Sequence, residues 1–152
     1  MYKRMLIATD GSDPSRKAIK HGMTLAEALQ VPVTAVFVID TRGLPGTHPA
    51  VPVTEAPFYQ SLLEELTKMG ESAVGEVAAE GALHGVPVEH RVLEGTPAAS
   101  ILDAAEKCGA DLIVMGTHGR TGFARMVLGS TAQQVCHGAK VPVLLVRADD
   151  PS

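Results

Sequence analysis

Tryptophan is missing from this chain, and aromatic residues of all kinds make up only 3% of it. Any core built from these residues is therefore aliphatic. The shortage also argues against recognition of single-stranded nucleic acid, where bases stack on aromatic side chains. Positive charge is in short supply too. Thirteen Lys and Arg against seventeen Asp and Glu leave a net charge of −4, the opposite of the basic field that a general DNA binder carries. A local site for one small anion is compatible with that balance. Only two cysteines occur, Cys108 and Cys136, and they do not form a CxxC pair. Both fall in helical patterns and are expected to be reduced, buried thiols. The six histidines (His21, His48, His84, His90, His118 and His137) form neither HxxxH nor HExxH, so no transition-metal site is expected. No apolar run approaches the roughly 20 residues of a membrane span. The apolar run in "MYKRMLIATDG" is too short for a signal peptide and meets Asp10 at once. The expected location is the cytoplasm, with no membrane and no nucleic acid as partner.

Several phosphate and hydrolase signatures are absent as well. There is no GxxxxGK[ST], no GxGxxG after the first apolar run and no GxSxG. Their absence argues against a Walker P-loop, a dinucleotide fold and the usual hydrolase elbow.

What is present is an alternation. The 152 residues, 45% of them hydrophobic, suit one domain with one core and no need of a disulfide or metal staple. Five short runs rich in Val, Ile and Leu read as strands: 4–9, 32–39, 87–93, 111–116 and 141–147. Four are nearly continuously apolar, as parallel strands covered on both faces are. The third alternates, which suits a strand nearer an edge. Helical patterns lie between them. Asp13 and Pro14 can cap and open the first, whose apolar side runs Ile19, Met23, Ala26, Leu29. The second spaces Phe58, Leu62, Leu66, Met69, Ala73 and Val77 by three and four and stops at Gly85. The third runs from Thr96-Pro97 to Gly109, and the fourth begins near Gly129-Ser130. The order β-α-β-α-β-α-β-α-β predicts a single α/β domain with a doubly wound, Rossmann-like parallel sheet and helices on both faces. Domain limits of 1–148 with a short polar tail at 149–152 are expected. Residues 41–57, which contain Pro45, Pro49, Pro52 and Pro57, make a long loop, read as mobile and without a defined role.

The chemistry concentrates in "MGTHGRTGFARMVLGST", residues 115–131, with the spacing Gly116-x2-Gly119-x9-Gly129-Ser130. Glycine permits positive φ and lets backbone N–H groups approach a ligand with no Cβ in the way. Gly129-Ser130-Thr131 opens a helix, whose first amides are unpaired and carry the positive end of the dipole. Two hydroxyl donors stand beside them. This describes an anion site, most naturally for phosphate. The dipole gives up to ~2 kcal/mol and charge-assisted hydrogen bonds roughly 1.5–3 kcal/mol each, against about 8 kcal/mol net for micromolar binding. Three or four contacts plus a pocket for an apolar ring reach that. In a doubly wound sheet ligands sit beyond the carboxyl ends of the strands, where Asp10 also emerges from the first strand. His118 and Arg120 lie within the glycine loop and can neutralise phosphate charge; Arg125 is a weaker candidate.

These residues carry a resemblance. "KRMLIATDGS", "VFVID", "GTHGRTG…LGST" and "VPVLLVR", in this order and over nearly the whole chain, resemble the universal stress protein family in its ATP-binding branch. The resemblance implies a five-stranded sheet of order 3-2-1-4-5. It implies that Gly119, Gly129, Ser130 and Thr131 hold phosphates, and that Gly116 and Asp10 lie against the ribose. Asp10 would also face a Mg²⁺ ion carried by the nucleotide. The backbone of Val38 would meet the adenine edge, with Ala8, Thr9 and Met115 lining the pocket. Many ATP-binding relatives have proline where this chain has Ala8. The last strand, Val141 to Val146, would pair with itself across a homodimer. The function so implied is a dimeric stress-response sensor or switch that binds ATP and an unidentified protein partner. It is not a dedicated enzyme. The alternatives are a slow ATPase, a binder of AMP or cyclic AMP, and a partner-binding module that needs no nucleotide.

Overall fold

The computed structural model describes residues 1–44, 56–118 and 128–148. The chain runs β1 (Met5–Ala8), α1 (Asp13–Leu29), β2 (Val33–Asp40), α2 (Ala56–His84), β3 (Val88–Gly95), α3 (Pro97–Cys108), β4 (Leu112–Gly116), α4 (Ser130–Gly138) and β5 (Val143–Val146). All four strand pairings are parallel, in the order β3-β2-β1-β4-β5. β1 is central, with Met5 opposite Val33 on one side and Leu112 on the other. The chain winds from β1 outward to β3 and then crosses back to β4. The switch point therefore lies between the carboxyl ends of β1 and β4.

The continuous apolar runs follow from this sandwich. Alternate residues of one strand face opposite layers. Met5 and Ile7 join Met23, Val74 and Val77 beneath α1 and α2, while Leu6 and Ala8 join Ile101, Ile113 and Val135 beneath α3 and α4. Burying each large aliphatic side chain contributes about 1.5–3 kcal/mol. No helix among the described residues is long and apolar enough to cross a membrane.

Some expectations need correction. Ser12, not Asp13, caps α1: its hydroxyl accepts from the Ser15 amide at 3.4 Å, and Asp13 and Pro14 are already helical. Leu29, Phe58 and Met69 fit a helical apolar stripe yet are exposed. Cys136 is exposed and Cys108 half-buried, because α3 and α4 bury only one stripe each. β5 is shorter than the apolar run that suggested it. α2 begins at Ala56, inside the expected proline-rich loop. The rest of that loop, 45–55, and the tail 149–152 lie outside the described residues.

Candidate functional site

β1 ends in Ala8-Thr9-Asp10, and the turn that follows is tightly wired. Gly11 has φ +78°, a left-handed conformation that glycine adopts without strain. Its amide donates to Thr9 Oγ1 at 3.1 Å. Ser15 Oγ donates to the Ser12 carbonyl at 2.8 Å. That uses its single proton, so in the 3.0 Å contact between Thr9 Oγ1 and Ser15 Oγ the threonine is the donor. Two buried hydroxyls are thereby satisfied. Asp10 Oδ1 accepts from the Ser12 amide at 2.9 Å and from the Ser12 hydroxyl. The carboxylate is thus held at the strand end by the residue that caps α1.

β4 ends in Gly116, Thr117 and His118. The Thr117 amide extends the ladder to the Val146 carbonyl at 3.1 Å, and its own carbonyl accepts from the Gly129 amide at 2.8 Å. That bond pins the chain where it enters α4. Thr117 Oγ1 lies 3.0 Å from His118 Nδ1. Among the described residues no side chain caps α4. Its first internal bond runs from the Gln133 amide to the Gly129 carbonyl at 2.9 Å. Among the described residues nothing accepts from the amides of Ser130, Thr131 and Ala132, the donors that a helix start leaves over.

β2 contributes the third wall. Asp40 and Arg42 form a two-pronged ion pair, Nε to Oδ1 at 2.9 Å and a terminal nitrogen to Oδ2 at 2.6 Å. The Arg42 amide also donates to Oδ1 at 3.1 Å. The guanidinium hydrogen bonds hold the Asp40 carboxyl below its ordinary pKa, despite partial burial, and Asp40 raises that of Arg42.

These three strand ends and the start of α4 surround one cavity of about 450 Å³, within the range of small-molecule sites. Ala8, Thr9 and Asp10 line it from β1, and Val38 from β2. Met115, Gly116 and His118 line it from β4, and Gly129, Ser130 and Thr131 from α4. Gly119, Arg120 and Arg125 lie outside the described residues. Sequence reasoning missed Ser15, Asp40, Arg42, Leu66, Pro97 and Thr117, which also line the cavity. The "DTR" that ends the second apolar run was the available signal for the ion pair. The glycines need one correction. Gly116 and Gly129 are not at positive φ; Gly129 has φ −56°. Gly129 is needed for space, since a Cβ there would stand 2.8 Å from the Thr117 carbonyl oxygen.

Val36, Val38, Ile101 and Met115 give the cavity an aliphatic lining, and the start of α4 offers three amides, two hydroxyls and a helix dipole. Among the described residues no group of three or more His, Cys, Asp or Glu could hold a metal ion. Asp10 alone could serve a cation that arrives bound to a ligand.

Comparison with known proteins bears on the fold and the family. Universal stress protein MJ0531 of Methanocaldococcus jannaschii is 39% identical over 147 residues, covering 97% of this chain and 83% of that protein. The solved structure of MJ0577, a universal stress protein of the same organism, superposes with a TM-score of 0.84 at 29% identity, over 99% of each chain. A universal stress protein solved in complex with cAMP superposes with a TM-score of 0.62 at 26% identity, over 97% of this chain and 98% of that one. The model of the universal stress protein family matches residues 1–147, and the chain belongs to that family.

Proposed function

We propose that this protein binds an adenine nucleotide, ATP with Mg²⁺ in the first place, in the crevice between β1 and β4, and acts as a homodimeric stress-response switch. One observation carries the reading: three amides at the start of α4, unpaired among the described residues, belong to a cavity that Val36, Val38, Ile101 and Met115 also line. A molecule with a phosphate end and a flat, weakly polar end matches both. Gly129, Ser130 and Thr131, together with Gly119, hold the phosphates. His118 and Arg120 supply countercharge. Gly116 and Asp10 lie against the sugar, and Asp10 faces the Mg²⁺. Val38 meets the base edge, while Ala8, Thr9 and Met115 close the pocket.

Rapid hydrolysis is not part of the reading. It needs a group that orients a water. Among the described residues, the carboxylates lining the cavity are Asp10, bonded to Ser12, and Asp40, bonded to Arg42. Turnover, where it occurs, is slow.

A second reading, AMP or cyclic AMP as the ligand, is favoured by the charge of the site. Arg42 is the one Lys or Arg among the described lining residues, and Asp40 neutralises it. A triphosphate therefore depends on Mg²⁺ to offset its charge, whereas a single phosphate can rest on the helix start alone. The relative solved with cAMP is consistent with this alternative.

The readings separate by experiment. Purified protein is denatured and the released small molecules are resolved by anion exchange, and titration calorimetry follows with ATP, AMP and cyclic AMP, each with and without Mg²⁺. ATP binding at micromolar affinity that weakens at least tenfold without Mg²⁺ is the expected result. Tighter, Mg²⁺-independent binding of AMP or cyclic AMP replaces the first reading with the second. No released nucleotide, no heat and no thermal shift with any of the three overturns both.

A further inference from the structure

Aromatic residues, the usual platform of a base-binding site, are scarce among the described residues that line the cavity. Phe37 is the one Phe, Tyr or Trp among the described residues lining the cavity. It is only 4% exposed, and its ring stands 2.8 Å from where a Cβ on Gly70 of α2 would lie. It packs the sheet against α2 and offers no face to a ligand. Among the described residues lining the cavity, the one arginine is Arg42.

Arg42 is held as Arg16 is by Glu76, but on the cavity wall. Asp40 clamps its guanidinium through two parallel hydrogen bonds, and the Arg42 amide ties the same carboxylate to the backbone. Hydrogen bonds occupy the edge of a guanidinium and leave its faces open. An arginine so held is a flat, preorganised surface that loses little side-chain freedom when a ring settles on it. Both side chains of the pair are about half exposed.

Position decides what this surface would meet. The pair follows Val38 along the end of β2. β1 separates β2 from β4, so two strand spacings put the pair about 10 Å from the strand end that leads to α4. The unpaired amides are at the far end. With its charge matched by Asp40, Arg42 is better suited to a neutral ring than to a phosphate. We propose that the Asp40–Arg42 pair is the stacking platform for the ligand's purine base. Arg42 makes the contact and Asp40 positions it. This rests on the nucleotide reading above.

The test compares ligands that share the base with one that lacks it. Mg-ATP, AMP and Mg-tripolyphosphate are titrated into the wild type, Arg42→Lys and Asp40→Asn, with melting temperature and far-ultraviolet circular dichroism as checks on folding. Lysine keeps the charge and loses the plane. Arg42→Lys is expected to weaken ATP and AMP by the same factor, roughly five- to thirtyfold, and to leave tripolyphosphate unchanged. Asp40→Asn is expected to weaken both nucleotides by a smaller common factor. Equal loss on ATP and tripolyphosphate, or tighter ATP binding by Asp40→Asn, makes Arg42 a phosphate counter-ion and overturns the platform. Unchanged ATP affinity in Arg42→Lys overturns it too, with nucleotide binding intact. A wild type that binds no adenine nucleotide overturns the function and the platform together.

Discussion

At Gly129 a Cβ would stand 2.8 Å from the Thr117 carbonyl oxygen and 3.3 Å from the His118 Cα, whereas at Gly116 the nearest atom is the His118 carbonyl oxygen at 3.5 Å. The obstacle at Gly129 is backbone, and the same oxygen accepts the Gly129 amide, so neither partner can give way without losing a bond. Gly129→Ala should therefore cost roughly 1–3 kcal/mol of stability, seen as a lower melting temperature. Gly116→Ala meets only ordinary contacts and should stay within about 0.5 kcal/mol of the wild type. If Gly116 is small for the ligand's sake, that variant should keep its melting temperature and lose at least tenfold in ATP affinity by calorimetry. Unchanged affinity removes Gly116 from the sugar contact. The two glycines stood out equally in the sequence because spacing records the residue type, not the reason for it. Asp10, Ser130 and Thr131 were legible because a strand end and a Gly-Ser-Thr helix start are local features. The Thr9–Ser15 bond and the Asp40–Arg42 clamp were not. Each depends on side-chain directions that no periodicity encodes.

Helix α2 shows the same limit at the next scale. Its 29 residues span about 43 Å at 1.5 Å per residue, while the eight residues of β2 span about 26 Å. The sheet cannot cover the whole helix. Ala73, Val74 and Val77 are buried against it, and Phe58, near the amino end, is 63% exposed. The apolar spacing of three and four identified the helix correctly and could not say how far its support extends. The helix boundaries at Thr96-Pro97, Gly109 and Gly129-Ser130 were legible, since proline and glycine punctuate there for local reasons. Two glycines of α2 separate local from tertiary effects. A Cβ on Gly81 would lie 2.4 Å from Val88 Cγ2 and 2.9 Å from the Val86 carbonyl oxygen, while one on Gly75 meets nothing within 4 Å. Gly75→Ala should stabilise the protein by up to about 1 kcal/mol through helix propensity. Gly81→Ala should destabilise it by roughly 1–3 kcal/mol, because the helix must lift from β3. Chemical denaturation of both variants checks the pair. A destabilised Gly75→Ala, or a neutral Gly81→Ala, contradicts this account of how α2 packs.

Across the whole molecule the two sheet edges differ in kind. At the β3 edge Glu89, His90, Arg91 and Glu94 are exposed, and such charges discourage pairing with another chain. At the β5 edge Val143, Leu144 and Leu145 are half-buried, with only Val146 fully covered. The alternation of strands and helices made the parallel sheet legible from the sequence, and the family resemblance supplied the strand order. Part of the asymmetry was legible as well, since the third run alternates with charged residues and the last is nearly continuously apolar; how much of each edge the helices cover was not. An uncharged aliphatic edge strand with unpaired backbone groups is a ready surface for a second copy. A stable pairing there would bury on the order of 1,200–2,000 Å² in total, more than four residues supply, so α4 and the flanking Val141 would have to join it. Light scattering coupled to size exclusion should give twice the chain mass of 15.9 kDa for the wild type at micromolar concentration. Leu144→Lys places a charge in the middle of the edge and should shift the mass to that of one chain. No β5 residue lines the cavity, so on the proposed function the monomeric variant should retain ATP affinity within about twofold if the two subunits bind independently. A wild type that already runs at 15.9 kDa rules the β5 dimer out. A dimeric Leu144→Lys moves the interface to another surface. A monomer that loses ATP couples assembly to the crevice, through the bond from the Thr117 amide to the Val146 carbonyl that joins the end of β4 to the end of β5.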